Sequence, residues 1–437
     1  MRSDQQRAIN RLAGTSATAF LCAVLCVYPL YIDKFSNLGV TKFTGCFTLF
    51  LLFLLWLVAC TAIGARAPRP RNANAGRDVT LWGVLAFAGT SLISTFTSLS
   101  PTASTWGLGG YYGGLMLVLF TAAGYWAVRS YLDLENLDFV FWVLGITTSI
   151  VAVLYVLNIF NIDLIGAYAD TAVVERAQFF STLGQKDFNG CFFSVALPIV
   201  FYQFLNAKDT RTAVWTGIPA AFGALALAVV DSEALALGIG AAVMVLVCHK
   251  NFTTRHLRRA ALISAAFFGW AAWMHYMRAS VYTQGGTALL AKLGAWQVAL
   301  PCMAASLLLW LVLFVLARKG IATQAPLYLP GRVITIAVLA VGALAFVLAN
   351  AMPNLPLPES LHNLLVFNDD WGTYRGVAWR AAFGTWADGS LLRKIVGIGP
   401  GMMHTAVAAW AGDAMTARMA TFYAAHNEYL EQLLTTG

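Results

Sequence analysis

Residues 333–351 read VITIAVLAVGALAFVLANA, a run without a single charged side chain. A helix of about 20 apolar residues spans the hydrocarbon core of a bilayer. Runs of this kind recur along the chain, in which 59% of the residues are apolar and 11% are charged. A soluble domain is nearer to half apolar and a quarter charged. The composition therefore predicts a polytopic membrane protein.

The spacing of the apolar runs predicts an all-α helical bundle, since the ~10-residue alternation of a membrane barrel is absent. We predict a transmembrane bundle over residues 1–351, a large extracytoplasmic loop over 352–425, and the start of a truncated twelfth span over 426–437. A second long outside segment covers about 161–187. The eleven earlier spans are predicted at roughly 14–32, 43–65, 79–98, 113–129, 138–160, 188–206, 213–230, 234–249, 259–277, 294–317 and 333–351.

Basic residues predict the orientation. With the N-terminus in the cytoplasm, the inside segments contain 17 Lys and Arg residues and the short outside loops contain six. Cytoplasmic loops of membrane proteins carry such an excess. The net charge of +8 is therefore attributed to the loops between spans, and nucleic acid is not an expected partner.

On this topology the outer face collects one histidine and several cations, which are His426, Arg176, Arg375, Arg380 and Lys186. A histidine at the start of a membrane helix is a candidate general base. Arginine binds diphosphate well because its planar guanidinium forms paired, charge-assisted hydrogen bonds. Such a site would bind a lipid diphosphate and deprotonate an incoming hydroxyl group.

Three stretches carry a family resemblance. His426-Asn427, followed by nine residues and Gly437, resembles the pattern of the O-antigen ligase and polymerase family. The stretch from Arg176 to Phe188 is similar to that family's arginine segment, which leads into a span containing a proline, here Pro198. The third stretch resembles the Arg-x-x-x-Trp helix and Gly-x-Gly turn of the family's large loop, and consists of Tyr374-Arg375-Gly376-Val377-Ala378-Trp379-Arg380 and Val396-Gly397-Ile398-Gly399-Pro400-Gly401. The resemblance covers about residues 176–437.

The resemblance implies a metal-independent, inverting glycosyltransferase of the bacterial cytoplasmic (inner) membrane, with its active site on the extracytoplasmic face and no cofactor. Its donor would be a glycan on a polyprenyl diphosphate, and its acceptor a glycan or lipid hydroxyl in cell-surface polysaccharide assembly. It assigns His426 as the base and Arg176 and Arg375 as diphosphate ligands. We add Lys186, Arg380 and Asn427 in secondary roles, although Lys186 and Asp187 stand where many members of the family have a Pro-Asn pair. Membrane lipid is the remaining expected partner.

Each assignment has a structural alternative. His426 would be an interfacial polar residue, Arg176 would pair with Glu175 or Asp170, and Arg375 would pair with Asp369 or Asp370. Asn368-Asp369-Asp370 would be either a divalent-cation site or a turn, and turns are the commoner role of such runs. Asp231 is either a functional acid at the membrane or a solvated hairpin tip. His275, His362 and His404 are alternative bases.

Two other functions remain open. A small-anion transporter would use the same arginines, although it should also carry charges deep within several spans. A protein O-oligosaccharyltransferase would differ from a glycan ligase only in its acceptor. Ligase and polymerase also share one donor, so the sequence does not separate them.

Overall fold

The computed structural model describes residues 2–66, 79–107, 112–280, 288–321, 324–352, 355–410 and 424–437. Within these ranges all long elements are helices, and the strands are limited to a short hairpin and an isolated bridge. The all-α prediction is thus confirmed. Helices suit a bilayer because each one satisfies its own backbone hydrogen bonds.

The helices follow the apolar runs. A π-helical segment, Ala23–Val27, follows α1, and 3-10 helices lie at Phe35–Asn37, Leu134–Asn136 and Val173–Gln178. The hairpin pairs β1 (Phe179–Phe180) with β2 (Gly184–Gln185) in antiparallel register. The helices are α1 (Arg2–Cys22), α2 (Tyr28–Leu30), α3 (Leu38–Ala62), α4 (Val79–Phe96), α5 (Pro101–Trp106), α6 (Leu115–Tyr131), α7 (Leu137–Ile159), α8 (Lys186–Asn206), α9 (Thr210–Val229), α10 (Glu233–Cys248), α11 (Thr254–Ser280), α12 (Ala288–Gly294), α13 (Trp296–Arg318), α14 (Tyr328–Ala351), α15 (Glu359–Leu365), α16 (Trp371–Ala387), α17 (Leu391–Val396), α18 (Met403–Trp410) and α19 (Glu428–Thr435).

Eight helical segments of the described chain are long and apolar enough to cross a membrane. They match eight of the eleven predicted spans, although the first two begin about eight to ten residues earlier than predicted. The chain is therefore a helical membrane protein. The eight segments are Asp4–Leu30, Phe35–Ala62, Val79–Phe96, Leu134–Ile159, Lys186–Asn206, Thr210–Val229, Trp296–Arg318 and Tyr328–Ala351.

The other three predicted spans, at 113–129, 234–249 and 259–277, are helical but fall outside this group. Helices α6 and α10 contain only 17 and 16 residues. Helix α11 has 27 residues, but its first turns carry three arginines and a histidine. The count of eleven spans is therefore supported for eight of them.

Helices α13 and α14 show most directly that apolar side chains need a non-aqueous surrounding. Their most apolar windows have a mean hydropathy of 2.5, yet only 6% of each window is buried by protein. In water such surfaces would drive aggregation. Lipid is the environment that accounts for them.

The chain divides into two compact units. Unit 1 comprises Met1–Ala17, Cys46–Leu132 and Leu339–Gly437, and unit 2 comprises Thr18–Gly45 and Asp133–Val338. In unit 2, helices α7 to α11 enclose a core that includes Tyr155, Phe193 and Met274. In unit 1, α16, α18 and α19 pack together around a second core. That core contains Val377, Ala378, Ala381, Ala382, Ile398, Met402, Met403, Ala406, Val407, Ala425 and Leu434.

Two helices of the segment 352–425 contribute to the unit 1 core. They are observed at Trp371–Ala387 and Met403–Trp410, and residues 411–423 lie outside the described part of the chain. Both helices bury small residues, Ala378 and Ala382 in α16 and Ala406 in α18, which allows their backbones to approach closely. This segment forms half of the site in unit 1.

Candidate functional site

Asn427 is the N-cap of α19. Its side-chain oxygen accepts hydrogen bonds from the backbone amides of Tyr429 and Leu430, at 3.0 and 3.3 Å. Asparagine is among the preferred residues at this position because it satisfies amides that have no partner within the helix. The residue predicted for a secondary role therefore has a structural one, which is to fix the start of the helix directly after His426.

His426 is exposed and has a left-handed backbone conformation, with a φ of 51°. This conformation costs a residue other than glycine roughly 1–2 kcal/mol, so the surrounding structure must impose it. The preceding residue, Ala425, is fully buried. The strained backbone of His426 therefore directly follows a residue, Ala425, that is held by packing.

Two side chains hold Ala425 in place. Its backbone amide donates to Oε2 of Glu431 at 2.8 Å. Its carbonyl accepts from Nε1 of Trp379 at 3.0 Å. Trp379 belongs to the predicted Arg-x-x-x-Trp helix, whereas Glu431 was not among the predicted site residues. The sequence contains a signal for this contact. Glu431 lies one turn into the helix, and in capping boxes an acidic residue in a similar position reaches back to a backbone amide before the helix.

The Gly-x-Gly turn pairs with the end of α19. The amides of Ile398 and Gly399 donate to the carbonyls of Leu434 and Thr435, at 3.2 and 2.9 Å. Gly397 has a φ of 81°, and a methyl group on it would lie 2.3 Å from the carbonyl oxygen of Thr435. Gly437 has a φ of 90°, and a methyl group there would lie 2.0 Å from the carbonyl oxygen of Ile395. Both motif glycines are thus required by backbone conformation and by close contact.

Arg375 and Arg380 differ in their surroundings. Arg375 is half-buried on α16 and lies four residues before Trp379, so the two side chains share one face of the helix. Arg380 is more exposed and forms an ion pair with Asp369. Asp369, one of the two acids considered as partners of Arg375, thus contacts Arg380. This ion pair gives Arg380 a structural role.

Asn368-Asp369-Asp370 forms a turn. The side-chain oxygen of Asn368 accepts a hydrogen bond from the amide of Asp370 at 3.0 Å, and Asp370 directly precedes α16. Within the described residues no group of three or more His, Cys, Asp or Glu side chains is arranged to hold a metal ion. The geometry of this run therefore matches the turn alternative.

In unit 2, Arg176 lies in the 3-10 helix that precedes the hairpin. Its guanidinium carbon is 5.4 Å from the centre of the Tyr168 ring, a cation–π contact. Its Nε is buried and has no hydrogen-bond partner among the described residues. Asp170, the predicted partner, instead forms an ion pair with Lys34 at 2.7 Å. Arg176 therefore retains hydrogen-bonding capacity for another group.

Lys186 begins α8. Its Nζ lies 3.8 Å from Oδ2 of Asp231, and the neighbouring Asp187 accepts a hydrogen bond from the Ser232 hydroxyl at 3.1 Å. Only 18% of the Asp231 side chain is exposed. Asp231 is therefore not a solvated hairpin tip. The structure brings Lys186 and Asp231 together in unit 2. In unit 1 it joins the helix that carries Arg375 and Arg380 to the His426 segment through the contact between Trp379 and Ala425.

The alternative histidines are distributed over both units. His275 lies in α11 of unit 2, and His362 is exposed in α15 of unit 1. His404, in α18, lines a cavity of about 200 Å³ together with Glu428, Glu431 and Gln432. His404 is thus the alternative base that shares its immediate surroundings with the His426 segment.

Glu431 lies outside the eight candidate spans, and burial raises the pKa of its carboxyl to about 7 from an ordinary value of 4.5. The Ala425 amide opposes this rise, and the Glu428 carboxylate adds to it. Between pH 4.5 and pH 7 the folded protein holds a proton that the unfolded chain has lost. The free energy of unfolding of this region should therefore fall by about 3 kcal/mol as the pH rises through that window.

We expect Glu431→Gln to remove this pH dependence, because glutamine does not titrate. Hydrogen exchange of the α19 amides, corrected for the intrinsic effect of pH, measures the change between pH 5 and pH 7. Glu359→Gln, at an exposed acid in unit 1, is the matched control and should keep the slope. An unchanged slope in Glu431→Gln would show that this carboxyl is not the titrating group.

A comparison of the chain with family models, with curated proteins and with solved structures finds no match. The likeness to the O-antigen ligase and polymerase family consequently rests on the motif residues and on their arrangement.

Proposed function

We propose that the chain is a glycosyltransferase of the O-antigen ligase and polymerase type, which transfers a glycan from a polyprenyl diphosphate to an acceptor hydroxyl. It works on the outer face of the bacterial cytoplasmic membrane, with its N-terminus in the cytoplasm and with eleven spans. In this proposal α6, α10 and α11, which fall outside the group of eight candidate spans, are the other three spans.

One observation carries the proposal, namely the direct contact between the motifs of unit 1. The Trp of the Arg-x-x-x-Trp helix holds the residue before His426, and the Gly-x-Gly turn binds the end of α19. These motifs were selected from the sequence for their resemblance to one family, and they are separated by up to 50 residues. Their convergence is expected if they serve a single site.

In the proposed reaction, His426 removes the proton from the acceptor hydroxyl. The oxygen attacks the anomeric carbon of the donor glycan and forms the new glycosidic bond. The bond between that carbon and the diphosphate oxygen breaks, and the polyprenyl diphosphate leaves with the electron pair. The anomeric configuration is inverted. Arg375 stabilises the charge on the leaving group, and the resemblance assigns Arg176 to diphosphate binding as well.

The reaction can be tested in proteoliposomes that contain a polyprenyl-diphosphate glycan and an acceptor, with and without a metal chelator. We expect transfer at an equal rate under both conditions, since arginines supply the positive charge. The molecule that gains sugar distinguishes a ligase from a polymerase or a protein glycosyltransferase. Transfer that requires a divalent ion would contradict the metal-independent mechanism and direct attention to Asp369 and Asp370. Absence of transfer from every polyprenyl donor, together with anion flux, would favour a transporter.

A further inference from the structure

Unit 2 contains a polar cavity of about 440 Å³, and its lining includes five residues of the arginine segment, from Ala177 to Lys186. It collects side chains from the end of α7, the hairpin, the start of α8, the turn before α10 and the last turn of α11. Its polar lining consists of Tyr155, Gln178, Gln185, Lys186, Asp231 and Arg278. Hydrogen-bond donors outnumber acceptors in this set, which suits an anionic ligand.

Arg278 is the most informative member of the lining. Its Nε is buried, and among the described residues it has no hydrogen-bond partner. A guanidinium that is removed from water normally finds acceptors for its N–H groups, because leaving a buried donor unpaired is unfavourable. An anion in the cavity would supply that acceptor.

Two further cations are associated with the same cavity. Lys186 lines it, and its Nζ lies 3.8 Å from Oδ2 of Asp231, farther than the roughly 2.7–2.9 Å of a direct charge-assisted hydrogen bond. Arg176 directly precedes two lining residues, Ala177 and Gln178, and its Nε also lacks a hydrogen-bond partner within the described chain. Asp231 is the lining residue that opposes an anion.

We propose that this cavity binds a phosphate or diphosphate group, with Arg278 as its main ligand. Guanidinium groups bind phosphate oxygens in pairs, Lys186 adds a point charge, and the amides of Gln178 and Gln185 supply neutral donors. The group would belong to a polyprenyl diphosphate or to the headgroup of a membrane phospholipid, since both present the same oxygens.

Assignment of this site to the glycan donor rests on the proposed function, whereas the binding itself does not. If the assignment holds, Arg278 joins Arg176 as a ligand of the leaving diphosphate. The sequence offered little indication of this role, because Arg278 ends an apolar helix and resembles an ordinary flanking charge.

The site can be tested by calorimetric titration of the full chain, in phosphatidylcholine nanodiscs, with inorganic pyrophosphate. We expect saturable binding that Arg278→Gln weakens at least tenfold. Asp231→Asn should tighten binding several-fold, because it removes the opposing charge and releases Lys186. Arg318→Gln, at an exposed arginine elsewhere in unit 2, should bind as the wild type does. The tighter binding expected for Asp231→Asn tests the site independently, even if the Arg278 variant folds poorly.

Competition then identifies the natural source of the phosphate group. Displacement of pyrophosphate by polyprenyl diphosphate supports the donor, and displacement by phosphatidylglycerol supports a lipid headgroup. Absence of pyrophosphate binding, or equal affinity in the wild type and in both cavity variants, would overturn the proposal. Binding without any glycan transfer would remove the proposed function but keep this site. Glycan transfer without pyrophosphate binding would support the proposed function and overturn this binding site.

Discussion

Replacing His426 by alanine is expected to abolish glycan transfer and to leave the fold intact. A general base contributes roughly 10²–10⁴-fold to a rate, and water is a poor substitute for imidazole at neutral pH. The His426 side chain is exposed, so its truncation removes no core packing. Initial rates of transfer in proteoliposomes, with equal amounts of reconstituted protein, measure the loss.

The matched control is His362→Ala, at an exposed histidine of the same unit. It should transfer glycan as the wild type does. His404→Ala tests the alternative base, because His404 lines a cavity with Glu431. Normal transfer by His426→Ala would disprove the assignment of the base, and loss of transfer in His404→Ala alone would move the role to that residue.

Gly397→Ala is expected to destabilise unit 1 by roughly 2–5 kcal/mol. Alanine is strained at a φ of 81°, and its methyl group would lie within 2.5 Å of three backbone atoms of Thr435 and Thr436. Backbone atoms cannot rotate away as a side chain can, so the turn and α19 must separate. The thermal midpoint of the detergent-solubilised protein should fall, and transfer should fall with it because the helix that follows His426 loses its support.

Gly89→Ala provides the comparison for this variant. Gly89 lies in α4 of the same unit, and a methyl group there would meet no atom within 4 Å. Alanine also favours helix over glycine by about 1 kcal/mol, so this variant should be as stable as the wild type or slightly more so. Equal thermal midpoints for the two alanine variants would contradict the close packing of the Gly397 turn against α19.

The helical fold could be predicted from the sequence because apolar run length is a local property. The eight candidate spans all overlap predicted ones. Sequence was less reliable at the ends of runs, where α6 and α10 are shorter than a typical span and α11 begins among basic residues. In α1, polar residues that precede the apolar run continue the same helix, and Gln6 donates to Asn10 one turn further along.

The site was harder to predict because its key contacts join distant residues. Local sequence could not decide which arginine pairs with Asp369, since Arg375 and Arg380 are separated by little more than one helical turn. The left-handed conformation of His426 depends on a hydrogen bond between Trp379 and Ala425, which are 46 positions apart. The unpaired Nε of Arg278 likewise becomes visible only once the helices are packed.

The two hydrogen bonds that hold Ala425 determine how much of this region must be exchanged together in a chimera. Arg375 lies one helical turn before Trp379, Trp379 holds the backbone beside His426, and Glu431 holds it from the other side. The proposed phosphate ligand and the proposed base are therefore spaced by rigid backbone within one unit. Residues 368–410 and 424–437 thus form a cassette. A chimera that takes its histidine segment from one homologue and its arginine helix from another would need to exchange the whole cassette to keep that spacing.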